Sequence, residues 1–232
     1  MSGRRVILGR AQSLKRSTPT FHMPDFDSNC TRCPRLAGFL KDVKQKHPSY
    51  YAKPVPPFGD PEARLLIVGL APGMHGANAT GRPFTGDYAG ILLYQTLHKF
   101  GFASAPESTS LDDGLQLINC RITNAVKCLP PENKPVGEEI NTCNEYLAGE
   151  LHSMGGASLV LALGTIAHKA VLRGLGLKQS QFKFAHGAVH KPNDKLTLID
   201  SYHCSRYNTQ TRRLTPAMFE SVFQQASDLL AR

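Results

Sequence analysis

A three-layer α/β/α sandwich with a central, mainly parallel four-stranded sheet follows from three features of the sequence. Four runs, Leu65–Leu70, Ile118–Val126, Leu159–Leu163 and Leu196–Ile199, have the length of strands and are apolar almost throughout. Strands covered on both faces read that way. Helical spacing fills the stretches between and after them, and strand–helix alternation marks a parallel sheet sandwiched by helices. The 232 residues hold no internal repeat and no low-complexity tract, so a single domain over 25–232 accounts for the chain.

Residues 1–24 stand apart from that domain. Arg4, Arg5, Arg10, Lys15 and Arg16 all precede the first acidic residue, Asp25. No apolar core of a secretory signal accompanies them. The stretch reads as a basic, poorly ordered arm; organelle transit peptides share its Arg- and Ser-rich composition, and that reading stays open. Next, Leu36, Phe39, Leu40 and Val43 fall at i, i+3, i+4 and i+7, an amphipathic helix over 34–46. Pro54, Pro56, Pro57 and Pro61 mark an extended connector into the first strand.

That strand breaks at Ala71-Pro72-Gly73 into a loop carrying Gly73, Gly76, Gly81 and Gly86. Asp87 closes the loop and starts a helix that runs to Phe100, with Gly101 as its stop. Residues 103–115 are polar and read as loop. Over 136–154, Val136, Ile140, Cys143, Leu147, Leu151 and Met154 share one helical face. Thr165 opens a helix that stops at Gly174. Thr215-Pro216 opens the last one, with Phe219, Val222, Phe223, Ala226, Leu229 and Leu230 inward.

The charge balance narrows the partners. Twenty-seven basic against 18 acidic residues give +9, which favours polyanions such as nucleic acid. No stretch is apolar enough to span a bilayer, so no membrane association is expected.

Two constellations carry chemistry. Cys30 and Cys33 form a close pair, and Cys128 and Cys143 a wider one. Four thiolates suit zinc or an iron–sulfur cluster, and the wide second spacing counts against zinc. Without a signal peptide, a disulfide framework is not expected. The second constellation is the strand that empties into a Gly-rich loop and then a helix, the usual ligand site of an open α/β sheet.

The wording of that loop is more specific than its physics. Gly69–Asp87, GLAPGMHGANATGRPFTGD, resembles the first active-site motif of the uracil-DNA glycosylase superfamily in its family 5 (type B) form. CTRC at 30–33, ITNAVKC at 122–128 and YHCSRYNTQT at 202–211 agree with it, in order. The resemblance implies a monofunctional enzyme that flips uracil out of DNA and hydrolyses its glycosidic bond, with hypoxanthine and xanthine as further bases. It implies a structural 4Fe–4S cluster on Cys30, Cys33, Cys128 and Cys143, DNA containing deaminated bases as partner, a monomer and a cytoplasmic setting.

Residue by residue, the resemblance puts Asn124 at the base edge or the water, and His203 at uracil O2. Phe84 stacks on the flipped base. Asp87 activates water, caps its helix, or does both. Ala71, Gly73, His75 and Asn78 are further candidates for holding substrate, and Ser205, Arg206, Tyr207 and Arg212 for gripping DNA. A cluster-bearing nucleic-acid-binding module without turnover is the alternative, since charge and cysteines suit it equally.

Overall fold

Parallel strands buried on both faces organise the fold. The computed structural model describes residues 25–231; the basic arm expected over 1–24 lies outside them. Its sheet has six strands: β1 (Phe58–Gly59), β2 (Leu65–Gly69), β3 (Cys120–Asn124), β4 (Ser158–Leu163), β5 (Val189–His190) and β6 (Leu196–Ser201), in the order β1-β3-β2-β4-β6-β5. The four expected from apolar runs are its parallel centre. The expectation of four strands falls short by two antiparallel edge pieces, β1 and β5, each two residues long. Pieces so short carry no periodicity for a sequence to display.

Among the described residues seven α-helices accompany the sheet: α1 (Pro34–Lys46), α2 (Ala77–Thr80), α3 (Tyr88–Lys99), α4 (Gly137–Ser153), α5 (Thr165–Gly174), α6 (Arg206–Gln210) and α7 (Pro216–Leu230). Side chains alternate across the sheet and so build two cores. Leu65, Ile67, Ile122, Leu159, Leu161 and Ile199 face Leu93 and Leu97 of α3 and Phe219 and Phe223 of α7. Leu66, Val68, Val160, Ala162 and Leu198 face Leu147 and Leu151 of α4 and Ala167 and Val171 of α5. These are the three layers. Truncating a fully buried leucine such as Leu161 should cost about 2–5 kcal/mol.

Two further features position the site. The exits from the adjacent strands β2 and β4 lead to α3 and α5, on opposite faces of the sheet. Such a switch point opens a crevice at the carboxyl ends of the strands. Separately, α1 buries Leu36, Leu40 and Val43 against Val126, Leu129 and Tyr146 in a third apolar cluster. That packing carries Cys30 and Cys33 toward Cys128 and Cys143. No helix among the described residues is long and apolar enough to cross a membrane.

Candidate active site

The crevice holds a cavity of about 490 Å³, within the usual range for small-molecule sites. Its floor comes from strand ends: Leu70 and Ala71 after β2, Asn124 ending β3, Leu163 ending β4 with Gly164 after it, and His203 after β6. The lining is mostly apolar, and its polar groups are few.

Asn124 is 4 % exposed, and its Oδ1 is buried without a hydrogen-bond partner. Strand register sets Gly69 directly beside it. A Cβ on Gly69 would lie 2.4 Å from Asn124 Oδ1 and 2.7 Å from Phe84 Cζ, so only glycine lets both side chains in. The first motif begins at Gly69, yet sequence alone assigns it no packing role; a glycine ending an apolar strand just before a loop is its signal.

Phe84 turns its ring toward the cavity from a left-handed backbone, φ 54°. That conformation costs a bulky residue about 1–3 kcal/mol and is braced nearby. Arg82, also buried, donates to Asp113 Oδ1 at 2.7 Å and to Ser108 Oγ at 3.1 Å. Ser108 in turn bonds Thr85 Oγ1 at 2.7 Å, and Tyr94 donates to the Pro83 carbonyl at 2.9 Å. The 103–115 loop therefore serves as the clamp of the Phe84 turn.

The Phe84 ring lies 5.9 Å from that of His203, inclined by 29°. His203 Nδ1 is buried and unpartnered. Burial without a counter-charge pushes this imidazole down to about 4, so it is neutral at pH 7 and carries a single N–H. Asn208 Nδ2 donates to the His203 carbonyl at 2.8 Å and fixes the turn. Cys204, fully buried next to it, anchors the same turn in the core.

Asp87 combines its two expected positions. Oδ1 accepts from Gly90 N at 2.9 Å and caps α3, while the residue also lines the cavity. Burial raises its carboxyl above the usual range, against the pull of the backbone N–H groups of Gly90 and Ala89.

The rim carries Ser205 and Arg206, both lining the cavity. Ser205 caps α6, and Arg206 stands 5.7 Å over the Tyr88 ring. Tyr207 is 70 % exposed on the same helix, beyond the cavity wall. Arg212 follows at φ 57°, exposed to solvent. Ala71 and Gly73 line the cavity as expected. His75 and Asn78 do not: His75 Nδ1 pairs with Tyr50 Oη at 2.8 Å. Asn78 points into the protein from α2, its Nδ2 donating to the Met74 carbonyl at 3.3 Å. Asn133 is a cavity residue that motif reading missed.

A second, smaller chamber is lined by Cys30, Cys33, Cys128 and Cys143 with Leu36, Pro54, Lys127 and Tyr146. None of the four is in a disulfide. Burial first, then the neighbouring thiols, pushes Cys33 up to about 11 and Cys128 well above its ordinary value. Lys127 N–H donates to Cys143 Sγ at 3.2 Å, and the buried Lys127 ammonium pairs with Glu150 at 2.5 Å. Among the described residues, the trio of ligand side chains gathered within 4.8 Å is His168, His190 and Asp200.

Comparison with known proteins agrees with the motifs. Residues 56–227 match the family model described as the uracil DNA glycosylase superfamily. A type-5 uracil-DNA glycosylase of Thermus thermophilus is 46 % identical over 205 residues, 86 % of this chain and 93 % of that protein. One from Pyrobaculum aerophilum is 42 % identical over 203 residues, 86 % and 88 % of the two chains. Another from Mycobacterium leprae is 41 % identical over 210 residues, 87 % and 92 %.

Proposed function

The chain belongs to the uracil DNA glycosylase superfamily, and on that premise we propose that it is a uracil-DNA glycosylase of DNA repair. It hydrolyses the N-glycosidic bond of deoxyuridine and leaves an abasic site. The observation that carries this reading is a pair of orphaned atoms, Asn124 Oδ1 and His203 Nδ1, buried around one cavity. Buried polar groups are normally paired, and a flipped uracil supplies what these two lack.

Asn124 presents an acceptor to uracil N3–H and a donor to O4. Cytosine reverses that edge and leaves the amide mispaired. Phe84 stacks on the base. As the C1′–N1 bond breaks, its electron pair leaves with the base and charge gathers on O2. The single N–H of a neutral His203 donates to that oxygen, an oxyanion stabilisation. Water adds to C1′ and passes a proton to the Asp87 carboxylate on the cavity wall, which also orients it and balances positive charge on the sugar. The apolar Leu70-Ala71 corner offers no other base. A mostly apolar lining supports tolerance toward hypoxanthine and xanthine. Among the described residues no lysine lines the cavity, which supports hydrolysis over a Schiff-base route.

Arg206, with Ser205, Tyr207 and Arg212 nearby, grips the phosphates and holds the gap. For the cysteine chamber a 4Fe–4S cluster is the best reading. The separation of Cys128 and Cys143 in sequence, wider than the close second pair usual in a zinc ribbon, supports that reading. Cys30, Cys33, Cys128 and Cys143 would hold it, and its contribution is to pin α1 to α4. Anaerobically purified protein should then be brown and contain about four irons; colourless protein with one zinc would reject the cluster.

Incubating a labelled uracil-containing duplex with the enzyme, then with alkali, tests the activity. Breakage at the uracil only after alkali is expected. An intact strand after alkali, with bound protein, would leave a binding module in its place.

A further inference from the structure

One wall of the cavity comes from a segment outside every motif of the base site. Asn133 reaches it from the stretch Pro130–Pro135, five residues beyond Cys128. The backbone there is costly. Glu132 (φ 53°, ψ 22°) and Asn133 (φ 57°) both adopt the left-handed conformation, and a glutamate does so at about 1–2 kcal/mol. Asn133 N–H donates to the Pro130 carbonyl at 3.1 Å and Lys134 N–H to that of Pro131 at 3.0 Å.

The strain is held from outside. Arg35 of α1 forks onto Glu139 with two bonds of 2.8 Å and donates to the Lys134 carbonyl at 3.2 Å. Glu139 also accepts Val136 N–H at 2.9 Å. Asparagine is among the non-glycine residues that best tolerate φ 57°, and here it sets an exposed amide on the lip of the cavity.

We infer that Asn133 is a substrate-contacting residue, its Nδ2 donating to the sugar–phosphate backbone of the flipped nucleotide. The inference rests on the glycosylase reading. Base-edge groups already have Asn124 and His203, so a donor at the mouth meets what lies outside the base: the deoxyribose and its phosphates. Asparagine amides are regular phosphate donors in DNA complexes.

Asn133→Gly isolates the side chain, because glycine keeps the turn and removes only the amide. The probe is a duplex carrying a tetrahydrofuran abasic analogue, which retains sugar and phosphate but no base. Asn133→Gly should bind it about tenfold to a hundredfold more weakly than wild type, the range for one hydrogen bond to a charged group, with thermal stability unchanged or raised. Single-turnover uracil excision should fall alongside. Asn133→Asp, of equal size but negative, should bind more weakly still. Wild-type affinity in Asn133→Gly would overturn the contact, and tighter binding by the aspartate than by the glycine variant would overturn its assignment to phosphate. If wild type bound the analogue but excised no uracil, the glycosylase reading would fail while the binding comparison still decided the contact.

Discussion

Asp200 and His203 stand at the same end of β6, yet the regions around them treat a buried imidazole in opposite ways. At Asp200 every group is matched. His168 Nδ1 meets Asp200 Oδ1 at 2.7 Å, His190 Nε2 meets Oδ2 at 3.0 Å, and His168 Nε2 faces the Phe182 carbonyl at 3.0 Å. Both nitrogens of His168 face acceptors, an arrangement that favours the protonated ring. Burial lowers its proton affinity, but the hydrogen bond and charge of Asp200 outweigh that and raise it. At His203 nothing is matched: Nδ1 has no partner, and burial alone holds the ring neutral. The matched imidazole locks α5 and the 179–190 excursion onto the sheet. The unmatched one is left for a ligand.

Deleting Asp200 should have the largest effect and the least to do with chemistry. Asp200→Ala removes the buried carboxylate that His168 and His190 share and should cost about 3–5 kcal/mol of stability in urea unfolding. Protein that remains folded should excise uracil close to the wild-type rate. Loss of excision without loss of stability would erase the distinction between the two regions.

His203→Ala should do the reverse. Single-turnover excision should slow by about 10²–10³, or about 2.7–4 kcal/mol. Affinity for an abasic duplex, which lacks the base, should stay where it was.

Acid and alkali should separate the two histidines by sign. His203 falls from 6.5 to about 4 on folding, so its stability contribution is present above 6.5 and is lost as pH drops toward 4. At about 1.4 kcal/mol per unit this amounts to about 3 kcal/mol. His168 is raised, so its contribution is complete below 6.5 and is lost as pH climbs through its folded value. His203→Gln should flatten the acid limb of the stability curve and His168→Gln the alkaline limb. Matching changes on one limb would contradict the assignment.

Asp87→Asn should have the smallest effect. Asparagine caps a helix about as well as aspartate, so α3 should keep its stability. Excision should drop by less than in His203→Ala. A loss near the upper end of the roughly 10²–10⁴ range for a general base would make Asp87 the dominant group.

The sequence displayed what is continuous and hid what is brief or relational. The four apolar runs are the four central strands because burial on both faces leaves no polar alternation to confuse them. The edge pieces Phe58–Gly59 and Val189–His190 and the short helices α2 and α6 are too brief for any period. Cysteine spacing brought Cys30, Cys33, Cys128 and Cys143 to one chamber as expected. Motif membership was a weaker guide within the first loop. Helix α2 splits that loop, so Phe84 enters the cavity from the turn after it while His75 meets Tyr50 and Asn78, on the helix, meets the core. Gly69 and Asn133 act through neighbours distant in sequence. The Asp200 cluster likewise joins three elements, and no linear pattern announces it.

NMR titration of the imidazole rings tests the contrast most directly, with His168→Gln and His203→Gln to assign the two signals. The His203 ring should stay neutral until the pH falls to about 4, and the His168 ring should stay protonated above 6.5. A His203 ring protonated at neutral pH, or a His168 ring that gives up its proton below 6.5, would contradict the account.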